Sequence, residues 1–153
     1  MNKWEPQTPE DRLLLAYWEK TGKGRMFLEV PVGNYASGFF PKGSSVRNID
    51  GVRILSEDSQ KDEIIPRRAY RWRDLIDAFR DKEVEVIEAK KRLNRLLFGQ
   101  AVAGVDMFER QYPAWIVHPV VIYEINDPAM EWVCQKHGVK MCQPYALTDE
   151  VDG

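Results

Sequence analysis

Cysteine and histidine are scarce in this chain, with two of each among 153 residues. Cys134 and Cys142 form no Cys-x-x-Cys pair and have no histidines clustered around them. That argues against a zinc site and reads as two structural thiols of a reducing compartment. No Ser, Cys and His set points to covalent catalysis. No apolar run approaches the ~20 residues of a membrane-crossing helix. The polar residues 1–12 do not form a signal peptide, so a cytoplasmic protein without membrane contact is expected. Gly-x-Gly-x-x-Gly and Gly-x-x-x-x-Gly-Lys-Ser/Thr are both missing, which removes support for dinucleotide and P-loop chemistry. There is no internal repeat and no low-complexity stretch. With 22 basic against 24 acidic residues the formal charge is -2. Any contact with nucleic acid must therefore come from a local patch rather than from bulk charge.

What is present suits one globular domain over residues 1–153, with a core at about 9–147 and an acidic tail at 148–153. Thr8, Pro9 and Glu10 supply a cap, a first-turn proline and a first-turn acid, and Leu13, Leu14, Tyr17 and Trp18 recur at helical spacing. Residues 9–21 are thus predicted helical. Strands are predicted at 26–32 and 46–55, joined by a Gly-, Ser- and Pro-rich loop as a hairpin with a long connection. A polar loop at 56–62 leads to a short helix at 72–80, and a third strand follows at 84–90. A long helix over 93–112 ends before Pro113. The apolar run 114–125 reads as a buried strand in which Pro119 marks a bend, an end or an edge. A helix from Asp127 to about 137 and one more strand within 139–147 complete an α/β arrangement.

The chemistry concentrates on the third strand, Val84-Glu85-Val86-Ile87-Glu88-Ala89-Lys90. Strand side chains alternate, so Glu88 and Lys90 share a face and the small Ala89 faces the other, where a helix can pack close. A carboxylate and an amine on an otherwise apolar strand are costly to bury without partners. Asp50 supplies one. Aspartate is disfavoured inside strands, and Gly51 beside it suggests a bulge or a close backbone approach. If the second and third strands pair, Asp50 and Glu88 converge, and two converging carboxylates call for a cation. Hard oxygen donors suit Mg²⁺ or Mn²⁺, with the carbonyl of Ala89 completing the shell and Lys90 placed to orient a water or offset phosphate charge. The plainer reading is a surface ion pair on an edge strand.

The pattern Ile49-Asp50 … Glu88-Ala89-Lys90 resembles the PD-(D/E)XK, or restriction-endonuclease-like, superfamily over residues 9–125. The resemblance implies a helix, a three-strand meander, a helix and a further strand, in a mixed sheet of four to five strands flanked by helices. It implies Asp50 and Glu88 as metal-binding acids and Lys90 as the catalytic lysine. Ile49 stands where the family commonly has proline, and the long gap between Asp50 and Glu88 implies an inserted loop and helix. Glu10 resembles the first-helix acid that some relatives add to the metal shell, although a first-turn acid is also favoured by the helix dipole. Gln100 falls where some members carry Gln-x-x-x-Tyr and is a candidate catalytic residue, but Gly104 leaves that motif incomplete.

Further candidates come from position alone. Glu29 interrupts the first strand and reaches the metal if it shares a face with Asp50; otherwise it is a solvent-facing alternate. Arg67, Arg68, Arg71 and Arg73 interleave with Tyr70 and Trp72, and Lys91 and Arg92 follow the lysine. Both groups are candidates for phosphate contact, with the aromatics free to stack on bases. His118, in an apolar run, reads as a core histidine. Two functions remain open: a metal-dependent nuclease acting on DNA, or an inactive nuclease-fold subunit that binds nucleic acid or protein in a larger assembly. A homodimer is a further expectation of the nuclease reading, and RNA is not excluded as substrate.

Overall fold

The computed structural model describes residues 4–56 and 61–146; the tail expected at 148–153 lies outside them. Helix α1 (Pro9–Lys20) starts on a reciprocal cap, in which Thr8 Oγ1 accepts from the Asp11 N–H and the Asp11 carboxylate accepts from the Thr8 N–H. Strands β1 (Arg25–Val32) and β2 (Arg47–Ile54) pair antiparallel, and β4 (Glu83–Ala89) continues the meander against β2. Between β2 and β4 come β3 (Glu63–Ile65) and a short helix α2 (Asp74–Phe79). Helix α3 (Arg95–Gln111), capped by Asn94, crosses over to β5 (Ile116–Ile122), which runs parallel to β4. Helix α4 (Pro128–Lys136), capped by Asp127, leads to β6 (Lys140–Cys142).

The sheet has six strands in the order β3-β1-β2-β4-β5-β6, not the four to five expected. The unforeseen strand is β3, which pairs parallel with β1 at the edge. Three residues are too few to show an alternation, and this segment is a strand only because β1 offers it a partner. Pro119 pairs opposite Val86 on β4, while β6 joins β5 only from Val120 onward. The proline therefore sits where β5 is still an edge, where a missing N–H costs no ladder bond.

Each face of the sheet carries its own core. On one side α1 packs Leu13, Leu14 and Tyr17 onto Met26, Leu28, Ile87 and Ala89, so Ala89 does give a helix close access. On the other, α2 and α3 bring Leu75, Phe79, Phe108 and Tyr112 onto Phe27, Val30, Ile49, Val52 and Val86. Phe79 meets Phe27, Phe108 and Tyr112 edge-on at 5.2–5.5 Å between centroids, each pair adding about 0.5–1.5 kcal/mol beyond buried area. Beyond β3, the carbonyls of β1 accept from side chains: Leu28 from the Tyr70 hydroxyl, and Pro31 from Gln111 Nε2 and the Tyr112 hydroxyl. Among the described residues no helix is long and apolar enough to cross a membrane.

Candidate active site

Alternation along β1 and β2 breaks at one level of the sheet. Phe27 and Val30, three residues apart, lie in the same core, as do Ile49 and Val52; on a regular strand residues three apart face opposite sides. Each strand therefore carries one extra residue, Glu29 in β1 and Asp50 in β2. The two stand opposite one another, so the register is kept, with Leu28 against Gly51 and Val30 against Ile49. Glu29 absorbs the slip by adopting φ 54°, a left-handed conformation that costs a non-glycine residue roughly 1–2 kcal/mol. Gly51 fits because a Cβ there would lie 3.3 Å from Leu14 Cδ2 and from Met26 Sδ. The close approach expected beside Asp50 is thus the packing of α1 on the sheet.

The β2–β4 ladder ends at Gly51 opposite Ile87, and the next residues exchange side-chain bonds instead. Ala89 N–H donates to Asp50 Oδ2 at 2.8 Å, and Asp50 N–H donates to Glu88 Oε1 at 3.4 Å. Each carboxyl also acts on the proton affinity of the other. Burial, then the neighbouring Asp50 charge, pushes Glu88 up to about 9, which favours its protonated form. Asp50 is also raised, chiefly by burial and further by the charge of Glu10; the Ala89 N–H, Glu88 and the Lys90 ammonium act in the opposite direction. Glu88 is only 6% exposed, so the proton is screened little by water.

The pair stands between two cavities. One, of about 1070 Å³, has Glu10, Glu29 and Asp50 on its lining together with Arg67, Arg68 and Tyr70. The other, of about 380 Å³, lies along α3 and is lined by Glu88, Gln100, Arg95 and Arg47 among others. The structure thus gathers Glu10, Glu29 and Asp50 around one space and places Glu88 and Gln100 on the other. Half-buried Lys90 lines neither of the two, but its charge acts on both carboxyls. Arg71 and Arg73 are exposed outside both cavities, with Arg73 stacked on Trp72 at 4.7 Å. Lys91 and Arg92 are exposed just past β4. His118 is not a core histidine: it is partly exposed and its Nε2 lies 2.7 Å from Glu83 Oε2. It sits on the stretch of β5 that β6 leaves uncovered. Among the described residues no group of three or more His, Cys, Asp or Glu side chains is arranged to hold a metal.

A second charged cluster went unread in the sequence. Arg53 and Glu85 pair at 2.8 Å, both nearly fully buried. Tyr17 donates to both Glu85 oxygens at 2.9 and 3.0 Å, and Lys140 reaches the same carboxylate at 3.3 Å. Burial, then the Glu85 charge, raises the Tyr17 hydroxyl to about 12, so it stays a donor. Every group is satisfied, and the cluster pins α1 to the sheet and to β6. The available signal was an arginine between Val52 and Ile54 and a glutamate between Val84 and Val86, each a charge inside an apolar strand.

No family model, curated protein or solved structure matches this chain. The site's strain is directly measurable: Glu29→Gly should raise unfolding stability by about 1 kcal/mol, because glycine adopts a positive φ freely. Urea unfolding reads this out. An unchanged or lower midpoint would mean that Glu29 contributes packing or charge that outweighs its backbone cost.

Proposed function

We propose that this chain is a metal-dependent nuclease with a restriction-endonuclease-like core, hydrolysing phosphodiester bonds in DNA. Supporting the fold assignment is the order helix, antiparallel three-strand meander, helix and parallel strand, formed by α1, β1, β2, β4, α3 and β5. The observation that carries the activity is the Asp50–Glu88 carboxyl pair, buried where β2 and β4 part, with the Lys90 charge acting on both. Such a pair needs either a shared proton or a shared cation.

The donor chemistry fits a divalent cation. Asp50 and Glu88 offer hard oxygens, and the Ala89 carbonyl is a third at the same strand end. Mg²⁺ ordinarily takes one or two carboxylates and fills its shell with water, so the lack of a three-acid cluster does not count against it. Mg²⁺ or Mn²⁺ would supply polarisation of the phosphate and acidification of a water. Lys90 offsets charge on the reacting phosphate and orders a water beside it. Arg67 and Arg68 hold neighbouring phosphates across the larger cavity, and Glu10 and Glu29, on the same lining as Asp50, are further oxygen donors for the cation.

A second reading has its own observation. Each carboxyl already accepts a backbone N–H from the neighbouring strand, which closes the β2–β4 ladder without any ligand. An inactive nuclease-fold subunit that binds nucleic acid or a protein partner would look the same. Incubating the protein with single- and double-stranded DNA and RNA in Mg²⁺, Mn²⁺ or EDTA separates the two. The nuclease reading expects divalent-dependent cleavage, and binding without cleavage under every metal condition rejects it.

Arg68 gives a second test. It is exposed at the edge of the larger cavity, whereas Arg67 is partly used in donating to the Tyr70 carbonyl at 3.0 Å. Arg68→Ala should weaken DNA binding and reduce the slope of log affinity against log salt by about one unit. A titration over a range of NaCl concentrations checks it; an unchanged slope would place the DNA elsewhere.

A further inference from the structure

We infer that the smaller cavity is a subsite for one unpaired nucleotide adjoining the scissile phosphate, which makes the substrates of this enzyme single strands, flaps or duplexes with an unpaired residue. The inference rests on the nuclease reading for the position of the cut, but the subsite has its own lining. Val32, Ile49, Leu96 and Met107 give apolar walls of the kind a base face covers. Asn48 and Gln100 on the lining supply polar groups for a base edge. Arg47 and Arg95 line the same cavity. Arg95 makes no ion pair among the described residues, and Arg47 spends one nitrogen on the Ser45 carbonyl at 2.9 Å. Two guanidinium groups beside an apolar slot match a nucleotide, which is an anion attached to a flat apolar ring.

Helix α3 keeps the slot open. A Cβ on Gly99 would meet nothing within 4 Å, and one on Gly104 would come within 3.4 Å of Glu88 Oε2. The helix can therefore pass close over the carboxyl pair while leaving space beside it. Glu88 joins the slot to the site, because it lines this cavity and bonds to Asp50, which lines the other. A strand crossing the pair thus meets Arg67 and Arg68 on one side and the slot on the other. At about 380 Å³ the slot accepts a nucleotide and not a duplex; a paired base must leave its stack to enter, which costs least where it is already unpaired.

The test measures binding and cleavage separately. Fluorescence anisotropy in EDTA compares a short single-stranded oligonucleotide, its fully paired duplex and a duplex with one unpaired residue. The proteins are wild type, Ala103→Phe, which fills the slot from an exposed helical position, and Arg95→Glu, which reverses a charge on its lining without touching the core. Wild type should bind the single strand and the unpaired duplex about tenfold tighter than the paired one, and both variants should lose that preference. Cleavage with Mn²⁺ should follow the same order. The inference is overturned if wild type binds the paired duplex as tightly as the others, if it binds none of them, or if both variants keep the preference. If the binding preference appears and the variants abolish it, but nothing is ever cut, the subsite stands and the nuclease reading falls.

Discussion

Asp50→Ala should reduce cleavage by on the order of a thousandfold or more and weaken Mn²⁺ binding, while Lys90→Ala should reduce cleavage as severely and leave Mn²⁺ binding intact. The two residues differ in kind. Asp50 is an oxygen donor at the centre of the site, held by the Ala89 N–H at 2.8 Å. Lys90 is a cation whose charge acts on both carboxyls and which cannot ligate a metal. Removing a nearby cation should even favour metal binding slightly on Coulombic grounds. Asp50→Ala also strips an acceptor from a part-buried N–H, at about 1 kcal/mol, so Asp50→Asn is the better-folded companion, keeping the acceptor while removing the charge. Activity on DNA and calorimetric titration with Mn²⁺ together decide the matter. Equal metal affinity in wild type and both Asp50 variants would remove Asp50 from the metal shell, and full activity in Lys90→Ala would remove the lysine from the reaction.

The metal-free protein should lose stability as pH rises from about 5 to about 9, and Glu88→Gln should abolish most of that loss. The folded-state pKa of Glu88 is raised from 4.5 to about 9. Below 4.5 its carboxyl is protonated in both folded and unfolded chains, and the stability is fully present. Above that value the unfolded chain releases the proton while the folded chain keeps it, so stability falls with pH until the folded group ionises near 9. Asp50 is raised as well and adds to the same trend. Glutamine keeps the shape and a hydrogen-bond donor without the titration. At about pH 8 the variant should be more stable by on the order of a few kcal/mol. Mn²⁺ should raise the melting temperature of wild type and not of Glu88→Gln, because only a ligand that binds the folded state stabilises it. Parallel pH profiles for the two metal-free proteins would sink this account of the pair.

The helices and longer strands were legible because each carries a period or a cap. Thr8 and Asp127 begin α1 and α4, whereas α3, expected from 93, starts only after its cap Asn94, and β4 reads as an apolar run with its chemistry at one end. Convergence of Asp50 and Glu88 followed from pairing two strands that the sequence already suggested. Which space each carboxyl faces did not follow. Glu29 reads as an interruption of the apolar stretch Phe27-Leu28-Glu29-Val30, but only the packing of both cores reveals that β1 and β2 each carry an extra residue there. β3 could not be read, because it depends on a partner distant in sequence; Arg53 and Glu85 signalled buried charges inside apolar strands, but their pairing with each other and with Tyr17 is likewise set by distant partners. Among the arginines, spacing could not separate Arg67 and Arg68, on the cavity wall, from Arg71 and Arg73, outside it.

The outer margin of β1 bears on how this protein behaves when concentrated. An uncovered strand margin is a template for another chain, and open margins seed aggregation. Here β3 covers only Arg25 to Phe27. Farther along, the carbonyls of Leu28 and Pro31 are occupied by the side chains of Tyr70, Gln111 and Tyr112, the Gly33 N–H is taken by Gln111, and Pro31 has no N–H to lend. An incoming strand would find few free donors or acceptors in register along this side. Two aromatic hydroxyls and one amide thus serve as a stopper against edge-to-edge sheet growth.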